Sequence, residues 1–130
     1  MTSIFVSYKY TGEDKKELDK IMRLICDGLK KNNHNPYCTL WDNELQKKGK
    51  KELFKTAMNK IDNSDMLLVF LNGNDKSEGM LMEIGYSMAK KKKIVLIVKK
   101  DIKNTHLREL IEQVYEFNNL KDLEEVIKKI

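Results

Sequence analysis

Strand-like and helix-like segments alternate from one end of this chain to the other, and that alternation restricts its fold more than any other feature. Two apolar runs, Met66-Leu67-Leu68-Val69-Phe70-Leu71 and Ile94-Val95-Leu96-Ile97-Val98, are separated by a helix-like segment from about Ser77 to Lys91. A helix joining two strands in this way predicts a right-handed crossover between parallel neighbours. Upstream, Ser3 to Tyr8 has the β-branched and aromatic content of a buried strand. A helix from Glu13 to about Lys31 follows, because Leu18, Ile21, Met22, Ile25, Cys26 and Leu29 recur every three or four residues. Its acids lead and its lysines trail, as the helix dipole prefers. The run Asn32-Asn33-His34-Asn35-Pro36 breaks that helix, and Tyr37 to Trp41 predicts a second strand. Leu53, Phe54, Ala57, Met58 and Ile61 mark one face of a helix from roughly Gly49 to Asp62. Beyond the fourth strand come a polar loop through Asn104-Thr105-His106, a short helix at Leu107 to Ile111 and a fifth strand at Val114 to Phe117. Leu120, Leu123, Val126, Ile127 and Ile130 give a closing helix its apolar face.

The expected fold class is therefore α/β: a flavodoxin-like, doubly wound, parallel five-stranded sheet with helices on both faces. Its 130 residues, 41% of them hydrophobic, suffice for one core, so residues 1–130 are read as a single domain. Charged residues make up 35% and leave a net charge of +5. The lysines come in short runs at helix ends, only Arg23 and Arg108 are arginines, and no aromatic side chains interleave with a basic stripe. That pattern describes a solvated surface that favours anionic small molecules, and no nucleic-acid partner is expected. No window approaches the roughly twenty apolar residues of a membrane span, and the N-terminus lacks a signal-like pattern, so a soluble, cytoplasmic protein without a membrane partner is expected. Cys26 falls on the apolar stripe of the first helix, and Cys38 sits in a strand-like segment where it packs or lines a pocket. Two cysteines so placed fit a reducing compartment. His34 and His106 are too isolated for a zinc site, and neither metal nor organic cofactor is expected.

The topology brings the loops after strands one, three and four to one sheet edge. Tyr8 to Gly12, Asn72 to Gly79 and Asp101 to His106 then define the expected cleft, with Tyr8, Tyr10, Gly12, Asp75, Ser77, Gly79 and Asn104 as candidate binding residues. Backbone N–H groups, the Ser77 hydroxyl and a helix start suit an anion. The same letters are also those of a helix cap at Ser77 or Asp75 with turn glycines. Glu83, flanked by Met82 and Ile84 and one turn past Gly79, points into the cleft or else reaches solvent and pairs with a lysine. A carboxylate in an otherwise apolar helical segment is costly to bury, which makes Glu83 the candidate catalytic residue.

The stretch from Asn63-Ser64-Asp65 through Gly79-Met80-Leu81-Met82-Glu83-Ile84-Gly85-Tyr86-Ser87-Met88-Ala89 to Lys93-Ile94-Val95 resembles the core signature of the nucleoside 2-deoxyribosyltransferase family and its nucleotide N-hydrolase relatives. The resemblance implies an N-glycosidase acting on a nucleotide: a nucleoside 5′-monophosphate hydrolase or a deoxyribosyltransferase. It assigns Glu83 to the anomeric carbon, Ser77 to the 5′-phosphate, Gly79 to the loop glycine, and the Tyr8 to Gly12 loop to sugar and base. It also implies a homo-oligomer in which the Asn104 loop reaches a neighbouring subunit's site. The family often carries an aspartate on the preceding helix, and the matching position here is Ala57. Asp42 and Glu44 are substitutes if their loop folds over the cleft, whereas Asp62 lies near the helix end. Ile4 to Tyr8 and the loop leading to Glu83 also resemble Toll/interleukin-1 receptor domains, whose catalytic members cleave NAD with one principal glutamate. Ala57 also fits a third reading, a catalytically inactive nucleotide-binding or interaction module.

Overall fold

The computed structural model describes residues 1–130, and it is an α/β sandwich around one five-stranded parallel sheet. The strands are β1 (Thr2–Ser7), β2 (His34–Tyr37), β3 (Met66–Leu71), β4 (Lys93–Lys99) and β5 (Gln113–Phe117), in the spatial order β2-β1-β3-β4-β5. The helices are α1 (Lys15–Lys31), α2 (Asn43–Gln46), α3 (Lys50–Asp62), α4 (Glu78–Ala89), α5 (Leu107–Leu110) and α6 (Leu120–Lys128). This is the flavodoxin-like doubly wound arrangement, whose strand order reverses between β1 and β3.

β3 is buried at every residue, because one face meets α1 and α6 while the other meets α3, α4 and α5. Alternation along β1 divides its side chains the same way: Ile4 and Val6 join the α1/α6 layer, and Phe5 joins the α3/α4 layer. The stripe Leu18, Ile21, Met22, Ile25, Cys26 and Leu29 faces the core, and Asp14 caps α1 by accepting from the Lys16 and Glu17 amides.

Two ties hold the ends of the strands opposite the cleft. Asp65 accepts from the Ser3 amide at 2.8 Å while its own amide donates to the Ser3 carbonyl, clamping the start of β3 to β1. Lys92 Nζ donates to the Asp62 and Ser64 carbonyls at 3.0 and 2.9 Å, fastening the turn before β4 to the end of α3.

The second strand departs from the sequence reading of Tyr37 to Trp41. It runs His34–Tyr37, Thr39–Trp41 form a 3-10 turn, and α2 follows where no helix is expected. Pro36, read as part of the breaker, pairs with Ile4 inside the strand. β2 lies at the sheet edge, where a strand proline is tolerated. The break is made instead by Asn33, at φ 64°, and Asp42 turns the chain out of line by capping α2 at the Leu45 amide.

Gly28 marks the closest approach of α1 to α6. A Cβ built there would lie 2.6 Å from Ile127 Cγ2, a branch methyl of a buried side chain. Alanine gains about 1 kcal/mol of helix propensity, but overpacking costs about 1–3 kcal/mol. Gly28→Ala is therefore expected to lower the unfolding free energy by roughly 1 kcal/mol in urea titrations. In an Ile127→Ala background the same change becomes neutral or stabilising.

Candidate active site

The carboxyl ends of β1 and β3, with the loops after them, open a cleft of about 860 Å³. Its floor is Glu83. Met80, Ile84 and Ser87, at helical spacing on α4, are buried against the sheet, which draws Glu83 into the same inward stripe. There Glu83 Oε1 accepts from Ser7 Oγ at 2.6 Å. Ser7, the last residue of β1, is only 1% exposed and takes the parity of Phe5, toward the α4 layer. Burial raises the Glu83 carboxyl from its ordinary 4.5 to about 7, and the Ser7 hydrogen bond offsets part of that rise.

The candidate binding residues distribute around this acid. Tyr8 forms one wall with its hydroxyl 3.0 Å from Thr39 Oγ1, and burial pushes its phenol above the ordinary range. Tyr10 stands at the rim, held by Lys15, whose Nζ donates to the Tyr10 carbonyl and lies 3.5 Å from the ring centroid. Gly12 supplies the positive φ, 81°, that turns this loop toward α1. Asp75, Ser77 and Gly79 also line the cleft, and Ser77 Oγ caps α4 by accepting from the Met80 amide at 3.1 Å. The structure shows the capping role of Ser77, and the hydroxyl retains its proton as a further donor.

Asn104 stands apart. It is exposed and lies outside the cleft, as does the rest of the Asp101 to His106 loop. β4 is one strand beyond the switch point, and Arg108 pulls its trailing loop toward β5 by donating to the Ile102 and Lys99 carbonyls and pairing with Glu116 at 2.7 Å. Of the possible second acids, Asp42 accepts from the Tyr37 hydroxyl at 2.7 Å, Glu44 faces solvent near Lys47, and Asp62 accepts from the Tyr86 hydroxyl. None of the three lines the cleft. Asp75 and Glu78 line it as exposed rim residues, while the inner wall is Leu53, Phe54, Ala57 and Met80.

Sequence reading missed Ser7 as the partner of Glu83, and Thr39, Gln46 and Lys50 as cleft residues. Ser7 carries a legible signal, a hydroxyl ending an apolar strand on the face that α4 covers. Thr39 and Gln46 carry none, because a 3-10 turn and α2 deliver them. Gln46 Nε2 donates to the Thr39 carbonyl at 2.8 Å, bracing that wall. Lys9, Lys50 and Lys76 set three cationic side chains around the rim, beside the acids Asp75 and Glu78. A second cavity of about 320 Å³ lies beyond the Asn72 to Asp75 loop, but Glu13, Asp14 and Glu17 make it acidic and unsuited to a phosphate. No group of three His, Cys, Asp or Glu side chains is placed to hold a metal.

Glu83 ties stability to pH with a definite sign. Its carboxyl is raised in the folded state, so the native protein binds the extra proton and stability falls as pH rises from about 4.5 through about 7. The loss attributable to this group is at most roughly 3 kcal/mol. Glu83→Gln keeps an oxygen that accepts from Ser7 but cannot ionise. Urea titrations across this window should show a decline in the wild type that is flattened in Glu83→Gln.

The family model of nucleoside 2-deoxyribosyltransferase matches residues 7–122. Among solved structures, a CMP N-glycosidase of Clostridium botulinum is similar at 19% identity, with a TM-score of 0.74 and 98% of each chain covered. A 2-deoxyribosyltransferase of Bacillus psychrosaccharolyticus matches at 17% identity and a TM-score of 0.68, over 94% of this chain and 90% of that one. A conserved protein from Enterococcus faecalis matches at 17% identity and a TM-score of 0.65, over 99% and 98% of the respective chains. No curated protein matches. Those solved structures share the fold, and the match over residues 7–122 makes this chain a member of the nucleoside 2-deoxyribosyltransferase family.

Proposed function

We propose that the protein is a nucleotide N-glycosidase that hydrolyses a nucleoside 5′-monophosphate, with Glu83 at the anomeric carbon. The observation that carries this reading is the desolvated Glu83 carboxyl, fixed by Ser7 at the floor of the cleft. As the C1′–N bond breaks, both its electrons leave with the base and positive charge grows on the sugar. A preorganised carboxylate in a dry site stabilises that charge far better than it would in water. Water then adds at C1′, one of its protons passing to the base or to solvent, which yields free base and sugar phosphate.

Ser77, the first α4 amides and the rim lysines Lys9, Lys50 and Lys76 hold the phosphate, and Asp75 faces the sugar at the rim. Gly79 leaves room beside Phe54, whose Cε1 would be 3.5 Å from a Cβ added at that glycine. Tyr8 and Tyr10 enclose sugar and base, with Gly12 setting the turn between them and α1. A phosphate-binding mouth favours hydrolysis of a nucleotide over transfer between nucleosides. The inactive-module reading does not explain why one carboxyl is buried at a 2.6 Å contact beneath an open cleft.

The reading extends to assembly of two or more copies, with Asn104 serving a neighbour's site. Leu81, Met82 and Met88 are exposed on α4, and a Cβ added at Gly85 between them meets nothing within 4 Å. Within one protomer that face is uncovered and lacks a side chain at its centre.

Glu83→Ala should lower base release from a panel of nucleoside monophosphates by about a thousandfold, followed by chromatography. Because the ionised form acts, wild-type kcat/KM should rise with pH through about 7. Ser7→Ala should move that rise to higher pH, since the bond it removes holds the value down. Ser77→Ala should raise KM for monophosphates about tenfold and leave the unphosphorylated nucleosides unaffected. Release of nicotinamide from NAD with no base from any monophosphate would replace this reading. Leu81→Glu with Met88→Glu should lower the mass measured by light scattering to that of one chain.

A further inference from the structure

The two ends of the cleft differ in chemistry. Asp75, Ser77 and Glu78 lie within four residues of one another, so both rim acids share the end at which α4 begins. The opposite end is built by the close of β1, the Thr39–Trp41 turn, α2 and α3, and its polar groups are Tyr8, Thr39, Gln46 and Lys50. Beneath them lies the apolar wall of Leu53, Phe54 and Ala57. No carboxyl stands there. The Tyr8 hydroxyl lies 3.0 Å from Thr39 Oγ1, and burial makes its phenol a poorer acid. Gln46 Nε2 is engaged by the Thr39 carbonyl at 2.8 Å, and Lys50 is exposed at the mouth.

With the phosphate at the α4 end and the sugar over Glu83, the base occupies this opposite end. A neutral base that leaves without a proton takes the C1′–N electron pair as negative charge. That charge would grow against Leu53, Phe54 and Ala57, which offer it no hydrogen bond, and a charge so placed is costly. Glu83 gives no relief, because one carboxyl cannot stabilise the sugar as an anion and surrender a proton in the same step. A base that is already cationic leaves as a neutral molecule. Its positive charge passes to the sugar beside Glu83, and none is left against the wall. Before the bond breaks, the rings of Tyr8 and Phe54 favour a cation at this end.

We propose that the cleft selects nucleoside 5′-monophosphates whose base is a cation, a ring quaternised at nitrogen, because Ala57 and its apolar neighbours supply no proton to a leaving group. This rests on the glycosidase reading and narrows it to one class of base. The C1′–N bond breaks, its electron pair returns to the ring nitrogen, and the ring becomes neutral. Water adds its oxygen to C1′ and releases one proton to solvent. The products are the neutral base, the sugar phosphate and that proton.

The test measures base release in single turnovers, with the protein in excess and Glu83→Ala as the blank. Guanosine 5′-monophosphate is set against 7-methylguanosine 5′-monophosphate, whose base is cationic, and nicotinamide mononucleotide serves as a second cationic probe. Uridine 5′-monophosphate is set against its 5-fluoro derivative, whose base departs more readily as an anion. The two cationic nucleotides should release base roughly a hundredfold faster than the neutral ones, the size of the acid catalysis that the wall omits. Ala57→Asp should narrow that ratio by supplying a proton to neutral bases, and if it does not fold the wild-type ratios decide alone. Equal rates for cationic and neutral bases, or a gain confined to the 5-fluoro derivative, would overturn the selection for cations and leave the glycosidase reading standing. Silence with every nucleotide would overturn both.

Discussion

The hydrogen bond from Ser7 Oγ to Glu83 Oε1 is the constraint around which the site is organised. It joins the end of β1 to α4, the helix that follows β3, and so spans the point at which the strand order reverses. A carboxyl at this place must be partly dry, because Met80 and Ile84 on the same stripe hold α4 down on the sheet. An unpartnered acid there would be expelled or kept neutral. One short bond to a buried hydroxyl holds it in place, fixes its rotation and leaves Oε2 without a protein donor, free for a ligand.

Much of the signature around this bond serves geometry. Asp65 clamps β1 to β3, and Lys92 ties the turn before β4 to the end of α3, both at the sheet edge remote from the cleft. Together they fix the strand starts, and the register Ser7 to Val69 follows at the other end. Chemistry and alignment are thus shared between the two edges of one sheet. The residues that look charged and functional in the sequence include several that only hold strands in register.

The fold was legible because its signals are local and repeated: stripes at helical spacing, apolar runs, and a break after Lys31. Where reading failed, a single residue decided against the pattern. Asn33 rather than Pro36 makes the turn, and Asp42 caps a helix in a stretch too short to show periodicity. Glu83 stood out as an acid in an apolar helix, and the loops after β1 and β3 were placed by topology. Thr39, Gln46 and Lys50 could not be found that way, since their position depends on how the edge strand ends. Asn104 shows how far topology alone places a loop. Topology assigns its loop to the right edge of the sheet, but the Arg108 hydrogen bonds carry that loop away from the switch point.

Under the proposed glycosidase function, Ala57 determines what Glu83 has to do. Glycosidic bond cleavage commonly divides the work between two carboxyls, one anionic and one protonated. Here the wall beside Glu83 is Leu53, Phe54, Ala57 and Met80, so in the function we propose a single group supplies the negative charge at the floor. An apolar wall strengthens that charge by lowering the local dielectric, and by the same means it raises the carboxyl toward neutrality. The two effects oppose each other: a drier acid stabilises the sugar cation better when ionised but is ionised less often. At about 7 the ionised and neutral forms are balanced near neutral pH. Ser7 sets that balance, because its hydrogen bond favours the anion without admitting water. A site built on one carboxyl therefore needs a buried donor beside it more than a site built on two.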